Sequence, residues 1–306
     1  MKHAHLILGI IYLSFMAPLQ SSDGELEKFN TYINQSISEA NIAGMAVAIV
    51  SGDSIIFTQG YGYSDIQTKE PFTPNTVINI ASISKTFVGV ALMNLVENGL
   101  ISLDKDVNTF LPFKVQNPHL PESIITLRHL MSHSSGIQDN QKVYLPSYHY
   151  GGDSPIPLGE FLADYLSPDG THYSKKNFTK SKPGEKFVYS NIGAGLAGYI
   201  VERVSGKPLS VFTRDVIFKP LKMNNTCWFL SEMDRSKHTR LYESEEKHTQ
   251  LKNVDLYGLT TYPDGGVRTT VTDLSYYLLC IMNKGLYRGT RILKEETVSE
   301  MLTPDY

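Results

Sequence analysis

Hydrophobic and polar residues alternate along the chain with periods that predict helices and an antiparallel hairpin. Residues 25–40 place apolar side chains at helical spacing, which predicts an amphipathic helix. Two β-rich runs, residues 44–50 and 54–60, flank a Gly52-Asp53 turn, and this arrangement predicts a hairpin. The repeated strand-helix-strand order of a doubly wound sheet does not occur in the sequence. The sheet is therefore expected to be antiparallel.

The most apolar helix in the pattern begins at Ser82 and places its hydrophobic residues over 87–96. Its hydrophobic side chains occupy more than one face, which is typical of a helix packed on most sides, and Asn98-Gly99 is expected to end it. Further helices are predicted over residues 125–135, with Thr126 as N-cap and Gly136 as terminator, and over residues 158–166, 192–205, 272–283 and 294–302. Residues 137–157 are predicted to form a long loop, and their tyrosines favour a binding rim over disorder.

Ser82 and Lys85 stand three residues apart where the apolar helix begins. One helical turn brings positions i and i+3 onto the same face. A serine hydroxyl is a weak nucleophile at neutral pH and needs an adjacent base, which a lysine can be when burial lowers the lysine pKa. Backbone N–H groups at a helix N-terminus can stabilise a developing oxyanion. Ser82 is therefore a candidate nucleophile; the alternative is an N-cap serine beside a lysine that reaches solvent.

The Ser-x-x-Lys spacing occurs three times, so the spacing alone identifies nothing. Ser102 and Lys105 lie just past a helix end, whereas Ser244 and Lys247 lie in a run of charged residues. Only the copy at Ser82 begins a buried helix, and this context favours it.

Tyr189 and Asn191 form a second pair, immediately before another helix with an apolar stripe. Such a junction can present a phenol O–H and an amide to a neighbouring helix N-terminus. The same Tyr-x-Asn spacing at Tyr32 and Asn34 falls inside the first amphipathic helix. Taken alone, Tyr189 is as well explained as a buried tyrosine with a bonded hydroxyl, and Asn191 as an N-cap.

The order of the two motifs resembles that of the penicillin-recognising serine hydrolases, which carry Ser-x-x-Lys at one helix start and Tyr-Ser-Asn at another after a helical insertion. The chain is similar in particular to the branch that contains class C β-lactamases, DD-peptidases and related esterases. The similarity covers about residues 26–303. It includes Gly-Tyr-Gly-Tyr at 60–63, His-Leu-Met-Ser-His-Ser-Ser-Gly at 129–136 and Pro-Asp-Gly-Gly-Val at 263–267.

The resemblance implies a role for each of the four residues. Ser82 would be the acylated nucleophile, Lys85 and Tyr189 would shuttle the proton, and Asn191 would orient the substrate. Which of Lys85 and Tyr189 takes the serine proton stays open. The implied reaction is acyl transfer to Ser82 followed by hydrolysis, on a β-lactam, a D-Ala-D-Ala peptide or a small ester or amide. The backbone N–H of Ser82 would be one oxyanion donor.

The third family motif, Lys-Thr-Gly or His-x-Gly on a strand that walls the pocket, is not found at the expected place. A loose match, His149-Tyr-Gly, precedes Tyr189, and the sequence ends at Tyr306, where family members continue into the strands that bear the motif. We expect the sequence to be a piece of a longer enzyme. The alternatives are a truncated inactive relative and strands supplied from elsewhere. Loss of one oxyanion donor typically costs ~10²–10³ in turnover.

The expected fold is α/β (α+β), an antiparallel sheet flanked by helices in the β-lactamase/transpeptidase manner, without the C-terminal strands. A mostly helical lobe from about residue 100 to 260 is inserted, residues 23–306 form the domain, and the pocket lies between the lobes. The expected function is that of an exported serine hydrolase. The alternative is a catalytically inactive binding module for cell-wall peptide or a protein partner. A lipase-like α/β-hydrolase is not expected, because Gly-x-Ser-x-Gly is absent.

Composition and charge limit the kinds of partner and the cellular compartment that we expect for the protein. The 306 residues, 41% of them apolar, suffice for a sizeable core, and a formal charge of -3 without a basic run gives no electrostatic case for nucleic acid. Residues 1–22 have the pattern of an export signal, whose apolar run is too short to span a bilayer comfortably. We therefore predict a cleaved signal peptide, a secreted or periplasmic protein, and no stable membrane span in the mature chain. The oligomeric state is left open.

No metal or organic cofactor is expected. His129 and His133 have the i, i+4 spacing of a ligand pair, but no acidic third ligand stands beside them. Cys227 and Cys280 are the two cysteines of the chain. They either form a disulfide in an oxidising compartment or remain two buried free thiols, and we favour the second interpretation.

Overall fold

The computed structural model describes residues 23–244 and 250–303 of the chain. The predicted signal peptide, residues 1–22, lies outside the described residues. The helices are α1 (Asp23–Glu39), α2 (Ser84–Glu97), α3 (Leu127–Met131), α4 (Gln141–Tyr144), α5 (Leu158–Leu166), α6 (Asn191–Ser205), α7 (Leu209–Thr213), α8 (Val271–Met282) and α9 (Glu295–Leu302). The strands are β1 (Gly44–Ser51), β2 (Ser54–Asp65), β3 (Glu70–Pro71), β4 (Ile78–Asn79), β5 (Tyr148–Tyr150), β6 (Leu241–Ser244), β7 (Leu251–Val254), β8 (Tyr257–Leu259), β9 (Arg268–Thr269), β10 (Leu286–Tyr287) and β11 (Thr290–Arg291).

The predicted hairpin forms the main sheet, in the order β1-β2-β3 with antiparallel neighbours. Gly52 supplies a positive φ of 59° in the turn, a conformation that glycine adopts without a steric penalty. Helix α1 packs on β2 through an edge-to-face contact of Phe29 with Phe57, whose ring centroids are 5.6 Å apart. Helix α8 packs against β1 and β2. The amphipathic first helix and the hairpin are therefore confirmed.

Helix α6 lies at the centre of the inserted helical lobe and packs against α2, which precedes the lobe in sequence. Most of α2 is buried, as its all-round apolar pattern predicts. Helix α6 also contacts α3, α5 and α7, and Gly206 ends it with a φ of 68°. Short antiparallel pairs, β5 with β8 and β6 with β7, lie in the same part of the chain. The α/β class with antiparallel sheets and an inserted helical lobe is confirmed.

Pairing of β4 with β9 joins two segments that are far apart in sequence. Ile78 lies opposite Thr269, and the N–H of Ile80 donates to the carbonyl of Val267 at 3.0 Å. The N–H of Val267 in turn donates to Ser84 Oγ, in the first residue of α2, at 2.9 Å. The 263–267 segment is thereby fixed beside the start of α2.

Two helix boundaries differ from the prediction. Helix α2 begins at Ser84, and Ser82 lies just before it in a single 3₁₀ turn, because Ala81 takes a left-handed φ of 47°. Helix α3 ends at Met131 and not at Gly136, because the chain turns out of the helix and His133 takes a φ of 53°. The N-cap of α3 is Thr126, as predicted.

Residues 137–157 are not the continuous loop that we predicted. They contain α4 and β5, and β5 pairs with β8, more than a hundred residues further along the chain. Tyr144 is buried, whereas Tyr150 is 59% exposed. A pairing at such a distance leaves no local pattern, which is why the segment resembled a loop.

Cys227 and Cys280 are free thiols, Cys280 buried and Cys227 half-buried. Burial raises the pKa of each thiol to about 12. Within residues 23–244 and 250–303, every helix is too short or too polar to cross a bilayer.

Candidate active site

Ser82 is presented by a strained turn. Ala81 has a left-handed φ of 47°, which residues with a Cβ seldom adopt, and Asn79 Oδ1 accepts a hydrogen bond from the Ala81 N–H at 3.0 Å. Such strain persists only where the surrounding structure imposes it, and it concentrates at functional sites. Ser82 itself is exposed, so a substrate can reach its hydroxyl.

Lys85 lies one turn further on, and its ammonium makes two polar contacts. Its Nζ donates to Ser82 Oγ at 3.1 Å and to the backbone carbonyl of Asp264 at 2.5 Å. The same Nζ lies 4.9 Å from the ring centroid of Tyr189, a cation–π distance. The lysine side chain is therefore held between the serine, the 263–267 segment and the tyrosine ring.

Tyr189 completes the cluster from the start of α6. Its hydroxyl donates to Ser82 Oγ at 2.8 Å across 107 positions of sequence. The side chain is 43% exposed, so the phenol faces the solvent side of the cluster. The amine of Lys85 and the phenol of Tyr189, which come from two helix starts, thus meet at the hydroxyl oxygen of Ser82.

The amide of Asn191 is hydrogen-bonded by Asp139. Its Nδ2 donates to Asp139 Oδ2 at 2.8 Å, and the backbone N–H groups of Asn191 and Ile192 also donate to that carboxylate. Ser190 is the N-cap of α6, and its Oγ accepts from the Gly193 N–H at 2.9 Å. Asn191 is therefore not the cap. Among the described residues no hydrogen bond joins it to Ser82, Lys85 or Tyr189.

Asp139 was not identified from the sequence. It follows the short run Gly136-Ile137-Gln138, and nothing local separates it from a solvated loop carboxylate. Its carboxylate satisfies N–H groups that a helix start leaves unpaired, and its charge complements the positive end of the helix dipole.

The ring of His133 packs against the ring of Tyr189. The two rings are 4.4 Å apart at 34°, and His133 Nδ1 accepts from the Ser190 N–H at 3.2 Å. Burial lowers the pKa of His133, and the nearby charge of Lys85 lowers it further. The neutral ring therefore fixes the orientation of the tyrosine and the start of α6 together.

The other member of the histidine pair has a different role. His129 Nδ1 accepts from the Thr126 N–H at 3.2 Å and completes the capping box of α3. Among residues 23–244 and 250–303, no group of acidic, histidine and cysteine side chains is arranged to hold a metal ion.

Asp264 is the second residue that the sequence did not single out as part of the site. It is 2% exposed, and its carboxyl accepts a hydrogen bond from the Tyr144 hydroxyl at 3.3 Å. Burial raises the pKa of the Asp264 carboxyl to about 7, although the charge of Lys85 opposes the rise. The Pro-Asp-Gly-Gly-Val stretch was noticed for its resemblance alone, and only the fold brings it to Lys85.

The alternative copies of both motifs lie in ordinary surroundings. Ser102 is exposed, and its Oγ accepts a local bond from the Asp104 N–H at 3.4 Å. Ser244 ends β6, and Lys247 lies outside the described residues. Tyr32 is 68% exposed on α1.

The profile of the Beta-lactamase family matches residues 29–305 of the chain. The chain belongs to the Beta-lactamase family. This places it in the superfamily of serine β-lactamases and proteins related to the penicillin-binding proteins. Protein flp of Staphylococcus aureus (strain MRSA252), a curated relative, is 27% identical over 260 residues, which are 84% of this chain and 49% of flp. The chain spans about half the length of such curated relatives.

Solved structures of the Beta-lactamase family type share the fold. The octameric penicillin-binding protein homologue from Pyrococcus abyssi is 30% identical, with a TM-score of 0.76 over 91% of this chain and 60% of that one. EstCE1, described as a hydrolase with promiscuous acyltransferase activity, is 20% identical, with a TM-score of 0.71 over 90% of this chain and 76% of its own. The likeness to EstCE1 shows the fold alone.

Proposed function

We propose that this chain is a serine hydrolase that works through an acyl-enzyme on Ser82. The observation that carries the proposal is the meeting of Tyr189 OH and Lys85 Nζ at Ser82 Oγ, at 2.8 and 3.1 Å. These are hydrogen-bond distances at which a base can take the serine proton as the oxygen attacks.

In the proposed reaction, Ser82 Oγ forms a bond to the substrate carbonyl carbon and its proton passes to the Lys85–Tyr189 pair. The tetrahedral intermediate collapses, the bond to the leaving group breaks, and the pair returns the proton to the leaving group. Water then attacks the acyl-enzyme and releases Ser82 by the reverse proton path. Either member of the pair could accept the first proton, because both contact the same oxygen.

The proposed substrates are acyl compounds: a β-lactam, a D-Ala-D-Ala peptide, or a small ester or amide. Membership of the Beta-lactamase family supports this range, and so does the acyltransferase activity ascribed to EstCE1, a protein of the same fold. We also propose that the protein is secreted or periplasmic, on the signal-like pattern of residues 1–22.

The proposal is tested by covalent labelling. The purified protein is incubated with a fluorescent penicillin and, separately, with a fluorophosphonate, and the adduct is mapped by mass spectrometry of the peptide that contains Ser82. We expect an adduct on Ser82 that disappears in Ser82→Ala.

Ser102→Ala is the matched control, because Ser102 and Lys105 have the same spacing outside the cluster. It should label like the unaltered chain. A folded protein that reacts with neither probe would contradict the proposal and favour a non-catalytic binding module.

A further inference from the structure

An apolar groove lies beside the Ser82–Lys85–Tyr189 cluster, between α2, α3, α9 and the segment before Tyr189. Its volume is about 350 Å³. We call it the methionine groove, and its apolar lining residues are Gly89, Met93, Leu103, Met131, Phe187 and Met301. Arg128 and Glu300 also line it, with their charged groups 3.6 Å apart. An apolar lining with a few polar groups, at this volume, is typical of a site for a small organic molecule.

Gly89 gives the methionine groove its depth. An added Cβ at this position would lie 3.3 Å from Met131 Cε and 3.6 Å from Met301 Cε, and among the described residues outside its own helix it would meet no other atom within 4 Å. Glycine is unfavourable in the middle of a helix, because it has the most conformational freedom to lose on folding. Both methyl groups end flexible side chains, and methionine adapts readily to irregular apolar shapes. The lining can therefore adjust to an apolar chain.

The methionine groove is continuous with the cluster along α2. Lys85, Gly89 and Met93 follow one another at intervals of four residues, and such positions lie on the same face of a helix. Because a helix rises about 1.5 Å per residue, Gly89 lies about 6 Å and Met93 about 12 Å further along the helix axis than Lys85. The groove therefore begins about one helical turn beyond Lys85.

A second connection runs through the ring of His133. The centroid of this ring is 4.4 Å from that of Tyr189 and 5.8 Å from that of Phe187. Tyr189 donates to Ser82 Oγ, whereas Phe187 lines the methionine groove. The Tyr189 side chain is 43% exposed and that of Phe187 is 62% exposed. An apolar chain that starts at Ser82 and passes Tyr189 therefore meets exposed aromatic side chains on its way to the groove.

The position of Tyr189 decides which part of a substrate faces the methionine groove. In the proposed reaction, the bond between the carbonyl carbon and the leaving atom breaks, and the Lys85–Tyr189 pair gives that atom the proton taken from Ser82. The leaving atom must then lie within hydrogen-bond reach of Tyr189 OH or Lys85 Nζ. Both connections to the groove start at these two residues. The leaving group, and not the acyl group, therefore points toward the groove.

We propose that the methionine groove binds an alkyl chain on the leaving group, so that the preferred substrates are esters or amides of apolar alcohols or amines. The proposal rests on the proposed function, because acylation of Ser82 is what places the leaving group beside Tyr189. Burial of each methylene contributes up to about fourfold to the apparent affinity. The groove thereby narrows the substrate class through the part of the substrate that departs first.

The test compares two ester series with the purified protein. The first keeps the acyl group as acetyl and lengthens the alcohol from ethyl to decyl, whereas the second keeps the ethyl group and lengthens the acid by the same steps. In the first series kcat/KM should rise by up to about fourfold for each methylene that enters the methionine groove, and by at least about tenfold in all. The second series should stay flat. A rise in the acid series alone, or in neither series, would overturn the proposal.

Two variants locate the chain. Gly89→Leu fills the methionine groove, and the fold should be kept because leucine forms helices better than glycine. The rise with alcohol length should disappear. Phe187→Ser removes an aromatic wall and should reduce the rise. Leu100→Ser is its matched control, because Leu100 is 59% exposed and lies past the end of α2, outside the groove. It should leave both series unchanged. A rise that persists in Gly89→Leu would place the chain elsewhere and overturn the proposal.

A second readout does not depend on acylation. The full chain is labelled with ¹³C at the methionine methyl groups and titrated with 1-octanol, and each groove resonance is assigned by substituting its methionine with leucine. The resonances of Met93, Met131 and Met301 should shift along one binding curve. Met282, which is 49% exposed on α8 and outside the methionine groove, should not move.

The two readouts separate the two proposals. If fluorophosphonate never labels Ser82 but the three groove resonances shift, the proposed function fails and the methionine groove stands as a site for an alkyl chain. If Ser82 is labelled, the alcohol series is flat and the three resonances do not move, only the role of the groove is overturned.

Discussion

The two helix starts that meet at Ser82 are built in opposite ways. Before α2, the turn that carries Ser82 is strained, and within the described residues neither the N-cap residue of that turn nor that of α2 makes a side-chain cap, although Asn79 Oδ1 accepts from the Ala81 N–H. At the start of α6, Ser190 is the N-cap, and the carboxylate of Asp139 takes the next two backbone N–H groups and the amide of Asn191. The start of α2 has no N-cap side chain beside the exposed Ser82, whereas the first N–H groups of α6 are bound by Ser190 and Asp139.

The two helix starts therefore have different roles: the first can take part in the reaction, and the second holds a side chain in place. A start without an N-cap side chain keeps the positive end of a helix dipole available to a developing oxyanion. A start closed by a carboxylate gives up that capacity and gains rigidity, which fixes Tyr189 relative to Ser82. On this view the first start carries the chemistry, and the second positions a proton-transfer group for it.

The largest change in the labelling rate is expected from Lys85→Arg, in the first turn of α2. Arginine keeps the positive charge but does not lose its proton in proteins. We expect fluorophosphonate labelling of Ser82 to slow by about 10³-fold, or about 4 kcal/mol, as is typical for loss of a proton-transfer group. Lys105→Arg, in the alternative motif, should label at the unaltered rate. Equal rates in all three proteins would show that Lys85 is no base.

The second prediction concerns stability at the start of α6, where Asp139 binds the backbone N–H groups. Asp139→Ala leaves the N–H groups of Asn191 and Ile192 without their acceptor, so we expect the free energy of unfolding to fall by about 2–3 kcal/mol. Urea denaturation measures this change. Ser190→Ala, which removes the cap on the Gly193 N–H and one donor to Asp139, should cost about 1 kcal/mol. If Asp139→Ala costs no more than Ser190→Ala, the carboxylate is not the main support of α6.

A smaller loss of stability is expected from a substitution where α6 packs against the 263–267 segment. A Cβ on Gly198 would lie 2.5 Å from the Cβ of Pro263, so Gly198→Ala must displace one of them. We expect a loss of about 1–3 kcal/mol in the free energy of unfolding, as for other overpacked sites.

Gly195→Ala is the matched control on the same helix. Its Cβ would meet its nearest neighbour at 3.7 Å, an ordinary contact. Alanine forms helices better than glycine, so this variant should be stabilised by up to about 1 kcal/mol. Two variants of equal stability would mean that α6 and Pro263 are not tightly packed.

The sequence predicted the elements whose signals are local. The spacing of apolar residues located α1, α2, α6 and α8 to within two residues, and the Gly52-Asp53 turn located the hairpin. It could not predict the left-handed turn at Ala81, because a residue with a Cβ adopts that conformation only when its surroundings impose it.

The site was predictable in part for the same reason. Ser82, Lys85 and Tyr189 belong to short motifs at helix starts, and these can be seen in the sequence. Asp139, His133 and Asp264 belong to the site through pairings that span 52 to 179 positions. His133 and Asp264 lie in stretches noticed for their resemblance to the family, but no local pattern gives any of the three its role in the site. Asn191 was predicted beside the nucleophile, and only the structure shows that Asp139 holds its amide.

The central claim is that the two helix starts act as one proton-transfer unit, and a double-mutant cycle tests it directly. Labelling rates of Ser82 are measured in Lys85→Met, Tyr189→Phe and the double variant. If Lys85 and Tyr189 share one proton, each single variant should lose about 10²–10⁴-fold, and the double variant should be little slower than the worse single. A double variant whose loss equals the product of the single losses would contradict the claim.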